Sequence, residues 1–164
     1  MSGVATFCQA IEDSGVGKTV LGSSWMFPGF ETIHLSAMVV LVGSISAFDL
    51  RLLGLAMRRW SVSQLAERLL PVTWSAFGVM VLTGGLIFSS QAASRYCDNG
   101  AFQIKLLLIL LAGLNMSVFH FTIYRSVGKW DTASVTPLWA KVVGSLSVLL
   151  WASVVVAGRW IGFD

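Results

Sequence analysis

"ETIHLSAMVVLVGSISAFDLRLLG", residues 31–54, is apolar for long enough to cross a membrane, yet it carries a histidine near one end and an aspartate near the other. A helix needs about 20 predominantly apolar residues to span the hydrocarbon core. A helix on the surface of a soluble domain keeps a broad polar face, and this stretch has none. It reads as a membrane span, and ionisable groups inside a span face the bundle interior or a watery cavity. His34 and Asp49 are therefore the residues to explain.

The rest of the chain agrees. It has 164 residues, 55% of them hydrophobic and 12% charged. Soluble domains carry roughly 25% charged residues. The mean hydropathy is +0.78. Three further windows, about 70–91, 102–124 and 138–161, join the first at about 30–56. Between them lie "RRWSVSQLAERLLP", "ASRYCDNG" and "RSVGKWDTASVTP", rich in the residues of connections. The predicted fold is all-α: an integral membrane antiparallel four-helix bundle over residues 30–161. Residues 1–29 form an N-terminal interfacial segment, with a short amphipathic helix at 4–12 and a loop at "SSWMFPGF". The N-terminus has no basic stretch, and Glu12 and Asp13 interrupt its apolar residues, unlike a cleavable signal. No internal repeat stands out. The basic residues are scattered rather than clustered on a face, which excludes nucleic acid as a partner. Membrane lipids are the expected surroundings, with a partner subunit or a homo-oligomer left open.

Loops on the cytoplasmic side collect Lys and Arg. The first and third connections with their flanks hold Arg51, Arg58, Arg59, Arg68, Arg125, Lys129 and Lys141. The other side holds Lys18, Arg95, Lys105 and Arg159. This bias puts both termini outside, which in a bacterial inner membrane is the periplasm. Cys8 and Cys97 then share the oxidising side, where disulfides persist. A Cys8–Cys97 bridge is expected, closing a loop long enough to contribute on the order of 4 kcal/mol. Small residues mark close helix contacts in lipid, at Gly43 with Ala47, in "LTGGLIF" and in "AGR". Trp25, Trp60, Trp130, Trp139 and Trp160 fall near span ends, as interfacial anchors do.

Helix periodicity sorts the polar groups. Positions 15 apart are offset by about 60° and share a face. His34 and Asp49 are so spaced, as are Lys105 and His120, while Lys141 and Arg159 lie almost in line. At about 1.5 Å per residue, depth divides them into two layers. The outer layer holds Glu31, His34, Lys105 and Arg159; the inner holds Asp49, Arg51, His120 and Lys141. Asp49 and His120 are expected to face each other, because an unpaired carboxylate in hydrocarbon is costly. The competing reading is that the long cations snorkel to the headgroups.

Motifs for zinc, phosphate loops and hydrolase triads are absent, and "GVGK" at 15–18 is too short for a phosphate loop. Histidines in four-helix bundles can ligate haem. The two histidines differ in depth by roughly 20 Å, which excludes them as axial ligands of one haem. A haem b held by His34 alone, with Lys105 or Arg159 near its propionates, fits the outer layer.

Taken together, "H-x8-G" and "DLRLLG" (His34, Gly43, Asp49 to Gly54), "FQIKLLLILLAGLN" (Phe102 to Asn115) and "WASVVVAGRWIGF" (Trp151 to Phe163) resemble a bacterial family of uncharacterised four-span membrane proteins. That resemblance covers the chain from about residue 24 onward and implies no activity. A more distant similarity, at His34 and Lys105, is to four-span membrane protoporphyrinogen oxidases and to copper-resistance D-type proteins. It implies haem or porphyrin near those two residues, although the rest of the oxidases' histidine and tryptophan pattern is missing. The leading expectation is a redox cofactor (haem, porphyrin or quinone-like) in the outer layer. The alternatives are transport of protons, copper or a small solute, with Met38 and Met116 as soft ligands, and a non-catalytic anchor subunit of a larger complex.

Overall fold

The computed structural model describes residues 3–133 and 135–163. Two short helices, α1 (Gly3–Glu12) and α2 (Gly15–Gly22), precede four long ones: α3 (Met26–Leu52), α4 (Val62–Ser90), α5 (Gly100–Val118) and α6 (Leu138–Trp160). A π turn at Ala92–Tyr96 follows α4. Another at Phe119–Ile123 and a 3-10 turn at Tyr124–Lys129 prolong α5. The helical stretches of all four are long and apolar enough to cross a membrane. No strand occurs among the described residues.

Local chemistry sets the helix ends, and several differ from the sequence expectation. Of residues 23–30, expected to be a loop, those from Met26 onward form the first turn of α3. Pro28 is tolerated there because the first N–H groups of a helix lack intrahelical acceptors. Ser23 Oγ accepts from the Trp25 and Met26 amides at 3.4 and 3.3 Å. At its other end α3 stops at Leu52 rather than near 56, since Gly54 at φ +73° and Met57 at φ 55° turn the chain left-handed. α4 begins earlier than expected, at a capping box: Ser61 Oγ accepts from the Gln64 amide at 3.1 Å, and Gln64 Oε1 from the Ser61 amide at 3.3 Å. α5 starts on Asn99, whose Oδ1 accepts from the Phe102 amide at 2.8 Å. The short α2 was not foreseen. It contains the "GVGK" stretch, with Ser14 as its N-cap.

Packing joins two helical hairpins. α3 lies along α4, α5 lies along α6, and α3 against α6 holds the pairs together. At mid-height Ala37, Leu41, Ala76, Met80, Ala112, Trp151 and Val154 form the core. At the end near the chain termini, Tyr96, Ala101 and Ile161 cluster, and Phe88 of α4 stacks on Phe102 of α5 at 5.5 Å. At the far end Leu52, Val62, Phe119, Trp130 and Ala140 close the bundle. Trp130, expected as an anchor, is instead buried here and donates to Ser126 Oγ at 3.1 Å. Trp25, Trp139 and Trp160 are exposed, as are Val39, Leu82, Leu110 and Leu149 on the outside of the long helices. An apolar exterior of this kind belongs in lipid. The chain is an integral membrane protein.

The N-terminal helices are tied to the terminal end of the bundle. Cys8 and Cys97 are bonded, with Cα atoms 6.6 Å apart and a sequence separation of 89. Loop closure of that length corresponds to about 4–5 kcal/mol. Four residues after Cys8, Glu12 Oε2 accepts from the Ala93 and Ser94 amides at 2.7 and 2.9 Å, fixing the π turn that carries Cys97.

Gly144 marks the close approach of α6 to α3. A Cβ there would lie 3.3 Å from Leu52 Cβ and 3.5 Å from the Asp49 carbonyl oxygen. Gly43, expected as a contact, has open space beside it. Gly144→Leu is therefore expected to destabilise the bundle by about 1–3 kcal/mol through overpacking. Gly43→Ala should stay within about 0.5 kcal/mol of wild type, as substitutions away from packed contacts do. Unfolding midpoints in detergent check both.

Candidate functional site

Each long helix brings polar groups into the bundle, and each group's surroundings decide what it can do. His34 stands two turns into α3, half-buried and facing α4. Its Nδ1 lies 3.1 Å from Thr83 Oγ1. The Thr83 hydroxyl has one hydrogen, and the Val79 carbonyl at 2.7 Å takes it. The hydroxyl oxygen must then accept, so His34 carries its proton on Nδ1. The Met80 carbonyl is a further acceptor beside the ring. In that tautomer Nε2 carries a lone pair.

Gly84 makes room for this ring: a Cβ at that position would meet His34 Cε1 at 3.0 Å. Lys105, from the first turns of α5, comes within electrostatic range of the imidazole. Its side chain lies along Gly158 of α6, where a Cβ would sit 3.4 Å from Nζ. Among the described residues no carboxylate pairs with Lys105; the ion pair there is Lys18 with Asp13 in the N-terminal segment. His34 with Thr83 and Gly84, and Lys105 with Gly158, thus lie within electrostatic range of each other, on residues drawn from all four long helices. Glu31 and Arg159, expected in the same layer, stand apart. Glu31 is exposed and acts on Tyr96. Arg159 is exposed and its guanidinium sits 4.9 Å from the Phe163 ring centroid.

The far end is arranged differently from the expectation. Asp49 is 4% exposed, and its hydrogen-bonding neighbour is Ser147 of α6. His120 does not face it. That ring lies on the outside of the bundle, stacked on Tyr124 at 5.7 Å. Arg51, also 4% exposed, does not neutralise Asp49 either. Its Nε donates to the Trp60 carbonyl at 2.8 Å and a terminal nitrogen to the Asp131 carbonyl at 3.3 Å, so it fastens the first connection to the third. Lys141 is half-buried and forms no ion pair among the described residues. No group of three His, Cys, Asp or Glu side chains comes together among the described residues.

Thr83 and Ser147 were not singled out from the sequence. Thr83 precedes the Gly-Gly pair in "LTGGLIF", and a hydroxyl beside a close-approach glycine is the usable signal. Ser147 gave none, being one serine among several in α6.

The family model for a family of unknown function, DUF6644, matches residues 7–164. The chain belongs to that family. No curated protein and no solved structure matches it. The DUF6644 match takes in every residue of the two polar ends, and Cys8 with them.

Asp131 completes the far-end fastening. Its carboxylate accepts from the Ser63 amide at 2.7 Å and the Ser63 hydroxyl at 2.6 Å, at the N-terminus of α4. Burial works against the charge. The hydrogen bonds from Ser63, Ser61 and Val62 outweigh it and hold the acid below its usual pKa. A depressed folded-state pKa gives stability that is complete above the unfolded value, about 3.9, and is lost as pH falls through the folded one. Wild type should therefore exceed Asp131→Asn in unfolding midpoint at neutral pH, with the gap closing below about pH 4.

Proposed function

We propose that this protein holds a flat redox cofactor at the His34–Lys105 site, haem b first, with a porphyrin or quinone-like molecule, held through Lys105, as the alternative. The observation that carries the reading is the Thr83 hydrogen bond, which engages Nδ1 of His34; with the ring proton there, Nε2 is the nitrogen that would ligate iron. Ligating histidines are oriented in this way, with the second ring nitrogen bonded to a fixed acceptor. Lys105 adds a positive charge with no carboxylate partner among the described residues, and a propionate or a quinone oxygen would supply one. Haem contributes one-electron chemistry when bound. The protein's part is to fix the imidazole, hold the anionic edge of the ligand and exclude water with the surrounding apolar helices.

The same reading places the terminal end in the periplasm of a bacterial inner membrane. It rests on the lysine and arginine bias of the connections and on the Cys8–Cys97 bond at that end, since disulfides persist in oxidising compartments.

Titration of the purified protein with haemin tests the site. Wild type should give a Soret band shifted from that of haemin in detergent, and His34→Ala should abolish the shift. Lys105→Met should weaken binding by about 10- to 100-fold, the cost of losing one hydrogen bond to a charged group. Identical spectra for wild type and His34→Ala would exclude His34 as the iron ligand.

A further inference from the structure

Asp49 lies at the other end of α3 and plays no part in cofactor binding. Three residues before the end of that helix, it is covered by apolar side chains. Leu52, Val62, Phe119 and Trp130 close the bundle beyond it. Its Oδ2 is buried with no hydrogen-bond partner among the described residues, and Ser147 is the neighbour its carboxyl has. Other polar side chains near this level are provided for: Ser44 bonds Thr73 at 2.9 Å, and Asn115 donates to the Val143 carbonyl at 3.1 Å.

Charges on the surrounding helices do not compensate it. Arg51 of α3 is committed to the Trp60 and Asp131 carbonyls. Glu67 and Arg68 of α4 are exposed, and Arg68 stacks over Trp60 at 4.3 Å. His120, in the extension of α5, is exposed on the exterior. Lys141 of α6 forms no ion pair among the described residues. A carboxylate here would have one hydroxyl to solvate it, in a site where charge is heavily penalised. A carboxylic acid needs far less.

We propose that Asp49 is a proton-binding site, a carboxyl that rests neutral in the bundle. The ligand is the proton itself. Gly144 brings the α6 backbone against Asp49, so gain or loss of charge would be felt where the two hairpins meet. Ser147 is a positioning residue, setting the hydrogen bond to the acid without carrying the proton.

Infrared spectroscopy of the protein in lipid nanodiscs at neutral pH reads the proton directly. Wild type should show the carbonyl stretch of a protonated carboxylic acid, shifted down in heavy water and missing from Asp49→Asn. Ser147→Ala should keep the band and move it to higher frequency, because a hydrogen bond to the acid is gone. If Asp49→Asn does not fold, the Ser147→Ala shift alone assigns the band to Asp49. Wild type without a protonated-acid band, or a band unmoved in Ser147→Ala and retained in Asp49→Asn, would overturn the proposal. Disappearance of the band on adding sodium ions would also overturn it, marking a metal-cation site instead. None of these outcomes depends on whether a cofactor binds at His34.

Discussion

Hydrocarbon offers no hydrogen bonds, so a polar group inside a membrane bundle must find its partner in the protein. That constraint organises this molecule. Hydroxyls on the long helices bond to the carbonyl a turn earlier: Thr32 to Pro28, Ser36 to Thr32, Thr73 to Leu69 and Ser117 to Gly113. Ser44 and Thr73 bond each other, and Asn115 reaches the backbone of α6. Against that background the groups left with spare capacity stand out: Nε2 of His34, the Lys105 ammonium and Oδ2 of Asp49. Gln91 Oε1, beyond the end of α4, is the other buried side-chain oxygen without a partner among the described residues.

α3 is the helix through which both polar ends are built. It lies against α4 on one side and α6 on the other. Its terminal half presents His34 to Thr83 and Gly84, and its far half presents Asp49 to Ser147 and Gly144. Both ends are fastened by contacts distant in sequence. At the terminal end the Cys8–Cys97 bond and the Glu12 carboxylate hold the π turn after α4. At the far end Arg51 and Asp131 hold the first and third connections to the start of α4. Between them the mid-height core is apolar and keeps the two polar ends separate.

Much of this was legible in the sequence, for physical reasons. Twenty-odd apolar residues without a polar face have one stable environment, so the four long helices were readable. The disulfide was readable because topology put Cys8 and Cys97 at the same end. What failed was azimuth. The stripe arithmetic shows which groups share a helix face but not which face turns to the core. The buried face of the third span runs through Ala112, Asn115 and Phe119, so His120, one residue on, points outward, and Asp49 turns to a serine that no pattern distinguished. Trp130 failed for another reason: the third connection folds back under the bundle, where Arg51 binds the Asp131 carbonyl, and buries the indole. Arg159 and Glu31 are exposed, and the Arg159 guanidinium lies against the Phe163 ring.

The central claim is that Thr83 holds His34 with its proton on Nδ1, which leaves Nε2 open to a ligand. Nitrogen-15 magnetic resonance of histidine-labelled protein in bilayers, in a His120→Asn background that leaves His34 as the one labelled ring, measures this directly. The account predicts the neutral tautomer protonated at Nδ1. An imidazolium, or a wild-type ring protonated at Nε2, would contradict it.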